Sequence, residues 1–217
     1  MELSDLNREN QTDTSSGGNE LRYSCAEAYE MLTDKISKLL GDSWTFVKSN
    51  NAFKKKDGDF VTHIYIWRSH YNTSYEDIVF NSDVAFNYKK ERIMFYQFKD
   101  KYHIESETTF NMSMLSFENY LRSDILPVVN ELNSDILAVM GKMTSSDNFW
   151  KYHVDPQYLI DKLGKDALSD LSKEIIDSMS EGDKGRVKDY LSGDTTALGS
   201  GSAYITFCDN GLFDELR

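Results

Sequence analysis

The chain has 217 residues, 40% of them hydrophobic and 28% charged, which is enough apolar material for one sizeable core. Its formal net charge of −12 repels phosphate backbones and speaks against nucleic acid as a partner. No apolar run approaches the roughly 20 residues of a membrane span, and Met1-Glu2-Leu3-Ser4-Asp5 lacks the basic and apolar regions of a signal peptide, so no membrane partner is expected. Two cysteines, Cys25 and Cys208, read as reduced thiols of a cytoplasmic protein.

The charge is uneven. Residues 1–20 carry five acids against Arg8, residues 21–154 carry 18 acids and 16 bases, and residues 155–217 carry 13 acids and seven bases. The acid therefore gathers at the two ends of the chain. Residues 1–19 hold only Met1, Leu3 and Leu6 as apolar side chains and close on Ser15-Ser16-Gly17-Gly18. Such a segment buries too little to offset its ordering entropy and reads as a disordered acidic tail.

Apolar positions at Cys25, Ala28, Leu32, Ile36 and Leu39 predict a helix over 21–40, stopped by Gly41. Trp44-Thr45-Phe46-Val47 starts a strand, and Ala52 to Lys56 continues or follows it. Asp57-Gly58 signals a two-residue type I′ hairpin turn into Phe60–Arg68. In that strand Val61, His63, Tyr65 and Trp67 point one way and Phe60, Thr62, Ile64 and Ile66 the other. Both faces being largely apolar, the strand reads as central and covered on both sides. His70 to Ser74 turns the chain. Strands are expected at Ile78–Tyr88, Ile93–Phe98 and Tyr102–Met112, separated by Lys89-Lys90-Glu91-Arg92 and Lys99-Asp100-Lys101. Short connections between sequential strands make an antiparallel meander.

Helical spacing returns at Phe117 and runs through Leu121, Ile125, Val128, Leu132 and Ile136 to about Met140, with a kink expected near Ile125 because Pro127 lacks an N–H. Further helices are expected at 156–163, 165–179 and 185–191, the first opening on Pro156 after Asp155. Gly193 to Ser202 is a connection and Ala203–Cys208 a short strand. The expected class is α+β: an antiparallel meander flanked by an N-terminal helix and several C-terminal helices. It divides into a tail (1–19), an α+β core (20–150) and a helical extension (151–217) ending in that strand and packed on the core.

No motif in the sequence carries catalysis, a metal or a phosphate. The four histidines, His63, His70, His103 and His153, show no i+3 or i+4 ligand pair, and no CxxC occurs. Gly199-Ser200-Gly201-Ser202 lacks the Lys-Ser/Thr and the strand–helix setting of a phosphate loop. Lys54-Lys55-Lys56 suits a strand edge that discourages pairing. Cys25 lies in an apolar helix stripe, a core position. No cofactor is expected. His70, in a loop beside Tyr71, is the histidine best placed for function. Glu105 and Glu107, two apart on the expected Tyr102–Met112 strand, would share a face and could split acid and base roles or hold a divalent cation, although two glutamates on a solvated strand face satisfy the same spacing and are the commoner case.

The helix leading into Trp44-Thr45-Phe46, the hairpin Ala52-Phe53-Lys54-Lys55-Lys56-Asp57-Gly58-Asp59-Phe60 and the strand Ile64-Tyr65-Ile66-Trp67-Arg68-Ser69 resemble bacterial proteins of unknown function. In those, a helix precedes a phenylalanine-and-lysine hairpin. The resemblance covers residues 21–88, implies company with toxin or defence loci, and assigns no functional residue. Three functional readings follow. The first is a non-catalytic macromolecule-binding protein, of the kind that inhibits a toxin as an immunity protein, recognising a basic protein with His70, Tyr71 and Tyr75 as contacts. The second is a hydrolase-like enzyme assembled from dispersed residues such as His70, Glu105 and Glu107. The third is an accessory or structural subunit. Because residues 1–19 carry so little apolar surface, their deletion is expected to leave the cooperative thermal transition within a few degrees of the full chain, as a melting curve of the two forms will show.

Overall fold

The computed structural model describes residues 23–217, so the expected acidic tail lies outside the described residues. Helix α1 (Cys25–Leu40) starts at a capping box: the Ser24 hydroxyl accepts from the Glu27 N–H at 3.3 Å, and the Glu27 carboxylate accepts from the Ser24 N–H at 2.8 Å. It buries Ala28, Leu32, Ile36 and Leu40, and Gly41 ends it with φ +72°.

Six antiparallel strands follow: β1 (Thr45–Val47), β2 (Ala52–Asp57), β3 (Phe60–Arg68), β4 (Ile78–Tyr88), β5 (Glu91–Gln97) and β6 (Tyr102–Ile104). The first five lie side by side in chain order. β5 pairs with the C-terminal half of β4, and β6 pairs with Ile78–Phe80 at its N-terminal end. This is the α+β meander that alternation predicts. Its turns differ in detail. Between β2 and β3 only Gly58 has positive φ, the pattern of a glycine-first II′ turn rather than the expected I′ turn. The I′-like pair is Lys89-Lys90, at φ +48° and +75°, two non-glycine residues holding a left-handed conformation.

The remaining elements are helices: α2 (Glu107–Tyr120), α3 (Leu126–Ser134), α4 (Ile136–Lys142), α5 (Ser146–Lys151), α6 (Pro156–Leu163), α7 (Ser169–Ser178), α8 (Glu181–Leu191) and α9 (Ala203–Asp209). Three expectations are corrected here. The strand expected over Tyr102–Met112 stops at Ile104, because Ser106 caps α2 by accepting from the Thr109 N–H while the Thr109 hydroxyl accepts from the Ser106 N–H. Helix thus starts ten residues before Phe117. The short strand expected at Ala203–Cys208 is α9, started by Ser202, whose hydroxyl accepts from the Tyr204 N–H. And β3 is covered on one face only: Thr62, Ile64 and Ile66 are buried, whereas Val61, His63, Tyr65 and Trp67 range from half-buried to exposed.

The kink expected from Pro127 is present as a π-helical turn, Leu121–Ile125, between α2 and α3. The proline removes the N–H that would continue the ladder, and the Leu126 N–H reaches back to the Leu121 carbonyl instead. Buried residues from Ala28 to Phe213 make a single core, so the C-terminal helices pack on the α+β core. Tyr29 of α1 meets Phe80, Phe117 of α2 stacks on Phe98 at 5.3 Å between centroids, and Phe149 of α5 meets Phe207 of α9 at 5.7 Å. Among the described residues no helix is long and apolar enough to cross a membrane.

A left-handed residue with a Cβ costs roughly 1–2 kcal/mol. Replacing Lys89-Lys90 by Asn-Gly is therefore expected to stabilise the fold by about 1 kcal/mol, read as a higher urea midpoint at unchanged slope.

Candidate functional site

Register fixes what stands on the uncovered sheet face. Directly opposed residues share a face, so one row across β2, β3, β4 and β5 reads Lys54, His63, Ala85, Phe95 and the next reads Ala52, Tyr65, Asp83, Gln97. Trp67 lies opposite Asn81 one step further on. Along β3 the three ring-bearing residues form a ladder: His63 stacks on Tyr65 at 5.7 Å and Tyr65 on Trp67 at 5.3 Å, the latter rings only 14° from parallel. Trp67 is 44% exposed. Its indole N–H donates to Asp83 Oδ2 at 2.7 Å, which fixes the ring diagonally across the β3–β4 pair.

Beyond Trp67 the face opens into a cleft of about 900 Å³ at the end of β5. Its floor includes Asn81, Asp83 and Gln97; Trp150, Lys151 and His153 form one wall, and Lys99 and Lys101 sit in the turn leading to β6. The wall is held by the backbone. The Phe95 N–H donates to the Tyr152 carbonyl at 2.8 Å and the Asp155 N–H to the Ile93 carbonyl at 3.1 Å, so residues 152–155 occupy the outer edge of β5. His153 adopts φ +39° between these bonds, with its ring 6.2 Å from that of Phe95.

Two aspartates meet the cleft with opposite electrostatics. Asp124, in the π-helical turn, accepts from the Lys151 ammonium at 2.7 Å and from the Tyr96 hydroxyl at 2.7 Å, while its backbone carbonyl accepts from the Tyr152 hydroxyl at 3.0 Å. Burial pushes this carboxyl upward, but the ammonium and hydroxyl partners outweigh it and hold it below the ordinary value. In return, burial and the nearby carboxylate push the Tyr96 hydroxyl well up. Asp83 has no ion-pair partner among the described residues. Burial raises its carboxyl above the ordinary value, only partly offset by the neutral Trp67 and Gln97 donors. Asp124 is a clamp between the helices and β5; Asp83 is a half-buried charge that the fold does not compensate. Burial and the neighbouring Lys54 push the His63 imidazole, on the same face, below its ordinary value.

The residues expected from sequence are placed elsewhere. His70, Tyr71 and Tyr75 lie in the β3–β4 loop, with Tyr71 90% and Tyr75 59% exposed. The base of the loop is tied down: the Tyr75 N–H donates to the Tyr23 carbonyl, the Cys25 N–H to the Ser74 hydroxyl, and the Asn72 amide brackets Val79 through both its polar atoms. The loop follows Trp67 directly in the chain. The shared strand face of Glu105 and Glu107 does not form, since Glu105 precedes the cap Ser106 and Glu107 is the first residue of α2. No hydrogen bond or ion pair among the described residues joins His70 to either glutamate; its ring lies against Tyr71. Cys25 and Cys208 are both free thiols, and burial pushes the Cys208 thiol up to about 11, far from a reactive thiolate. Among the described residues no cluster of three or more His, Cys, Asp or Glu side chains is arranged to hold a metal ion.

Sequence reasoning missed the Tyr65–Trp67–Asp83 group. The alternation of His63, Tyr65 and Trp67 was legible, but their face was read as covered, and an acid in the middle of an apolar β4 was the overlooked signal. Comparison with protein families, curated proteins and solved structures finds no match to this chain.

The two aspartates predict opposite effects. The folded chain binds the Asp83 proton more tightly than the unfolded one, so a stability cost sets in as pH rises through the ordinary carboxylate value and is complete above the folded value. Asp83→Asn is expected to melt at or above the wild-type temperature at neutral pH. Asp124 contributes stability above the ordinary carboxylate value that is lost as pH falls through its depressed one. Asp124→Asn is expected to lose about 1–3 kcal/mol at neutral pH, with the difference closing in strong acid. Urea unfolding of both variants against pH checks the contrast.

Proposed function

We propose that this chain works by binding another macromolecule without turning over a substrate, in the manner of an immunity-type inhibitor of a basic partner. The observation that carries the reading is the stacked Tyr65–Trp67 pair on a sheet face that, among the described residues, stays partly exposed. Rings already ordered by stacking and by the Trp67–Asp83 hydrogen bond lose little freedom on docking, and tryptophan and tyrosine dominate the energetics of protein interfaces. Tyr71 and Tyr75 are further exposed aromatic side chains, in the β3–β4 loop. The net charge of −12 favours a basic partner and raises its association rate more than its final affinity.

The cleft supports a second reading. Its volume of about 900 Å³ suits a small ligand, and its lining mixes Trp67, Tyr120 and Trp150 with a larger set of charged and amide side chains, so the ligand it fits is a polar one. An enzyme would use it in preference to the dispersed His70, Glu105 and Glu107.

Affinity capture from cell extract at low and high salt separates the two. Salt-sensitive capture of a basic protein is expected with the wild type. The Tyr65→Ala/Trp67→Ala variant is expected to lose roughly thirtyfold or more in affinity for the purified partner, about 2 kcal/mol, while keeping its melting temperature. Capture that is indifferent to this pair, together with a metabolite retained in the cleft, would establish the second reading.

A further inference from the structure

We propose that Asp83 and the Tyr65–Trp67 stack form a receptor for an arginine side chain of the basic partner. This rests on the reading of the chain as a binding protein and names the chemistry its aromatic face recognises.

Asp83 sits on the sheet floor between Tyr65 and Gln97, and the groups that face its carboxylate, the Trp67 indole N–H at 2.7 Å and the Gln97 amide, are neutral. An ionised carboxylate accepts at about four lone-pair sites. Two neutral donors leave acceptor capacity and leave the charge uncompensated. Another half-buried acid of the cleft, Asp124, holds the Lys151 ammonium at 2.7 Å. What Asp83 lacks is a cation that also tolerates a flat aromatic neighbour. A guanidinium meets both demands: its fork of N–H groups suits a carboxylate, and its plane stacks on an indole or phenol. A lysine ammonium is more strongly hydrated and has no plane to lay on Trp67. A sugar would satisfy the acceptors and the ring but leave the charge unmet. Lys99 and Lys101 oppose a cation only from an exposed turn at the rim, where water and salt screen them.

The test uses the full chain and its three tryptophan indole signals in a proton–nitrogen correlation spectrum, with Trp67 assigned from Trp67→Phe. A short arginine-containing peptide and its twin bearing citrulline, the neutral isostere, are the probes. The Trp67 indole signal is expected to shift with a Kd on the order of millimolar for the arginine peptide and at least about tenfold weaker for the citrulline twin. In Asp83→Asn the arginine-dependent shift is expected to vanish. A Trp67 signal that stays still, moves equally for both peptides, or still moves in Asp83→Asn overturns the proposal. The citrulline comparison stands on the wild type alone, should that variant fold poorly. Partner capture that survives Asp83→Asn but is lost in Tyr65→Ala/Trp67→Ala overturns the arginine assignment and leaves the binding reading in place. Capture indifferent to both removes the binding reading itself.

Discussion

The architecture depends on one constraint: a single sheet buries one face and leaves the other to solvent. Ile64 and Ile66 of β3 and Phe80, Val84 and Phe86 of β4 face the helices, and each fully buried side chain of this kind is worth about 1.5–3 kcal/mol. Side chains alternate with period two, so once that face is buried, His63, Tyr65 and Trp67 are held on the opposite side. A register slip of one residue would exchange the two sets and is forbidden by the core. The exposed aromatic ladder is thus fixed in place by residues that never touch it. This is the sense in which the fold presents the site: the core pins the register, and the register aligns Tyr65, Asp83 and Gln97 in one row.

The edges of the sheet shape the cleft. β5 would be an open edge, but the extended residues after α5 cover it with two backbone hydrogen bonds. That pairing brings Trp150 and His153 up to the open face, and it places the α5 end, with Lys151, where it can reach Asp124. The π-helical turn completes the arrangement from the other side. It carries Asp124, whose carbonyl accepts from Tyr152 and whose carboxylate accepts from Tyr96 and Lys151. A sheet-edge device and a proline defect together build the wall and the clamp of one cavity.

Much of this was legible in the sequence, and the gaps have physical causes. Period-two alternation from Ala52 to Phe98 and the Ala28–Leu32–Ile36 stripe are local signals, and both elements formed where expected. The Pro127 kink was likewise local. The failures lie where a short polar motif outweighs a propensity. Ala203–Cys208 carries Tyr204, Ile205 and Phe207, a strand-like composition, yet Ser202 caps a helix there and Phe207 is drawn into the core beside Phe213. At Ser106 a reciprocal cap with Thr109 ended the strand and separated Glu105 from Glu107. Whether a face is covered is not local at all. It depends on which helices return to it, and the apolar content of Val61, Tyr65 and Trp67 gave the same signal that a covered face would give.

Charge separates two tasks in this molecule. Half of the net charge of −12 lies beyond residue 154, whereas the cleft mixes Asp83, Asp124 and Asp147 with Lys99, Lys101 and Lys151. A field set by the whole surface acts over a Debye length, about 8 Å at physiological salt, and draws a basic partner in without selecting its orientation. Selection needs a charge that is desolvated and unanswered, and in the cleft that charge is Asp83. Its carboxyl, raised by burial, marks a position where the folded protein gives up stability as the group ionises. Asp124 does the opposite: its charge is answered internally and contributes to the fold. Of the aspartates lining this cavity, Asp124 ties the walls together, whereas Asp83 stands without an ion-pair partner among the described residues.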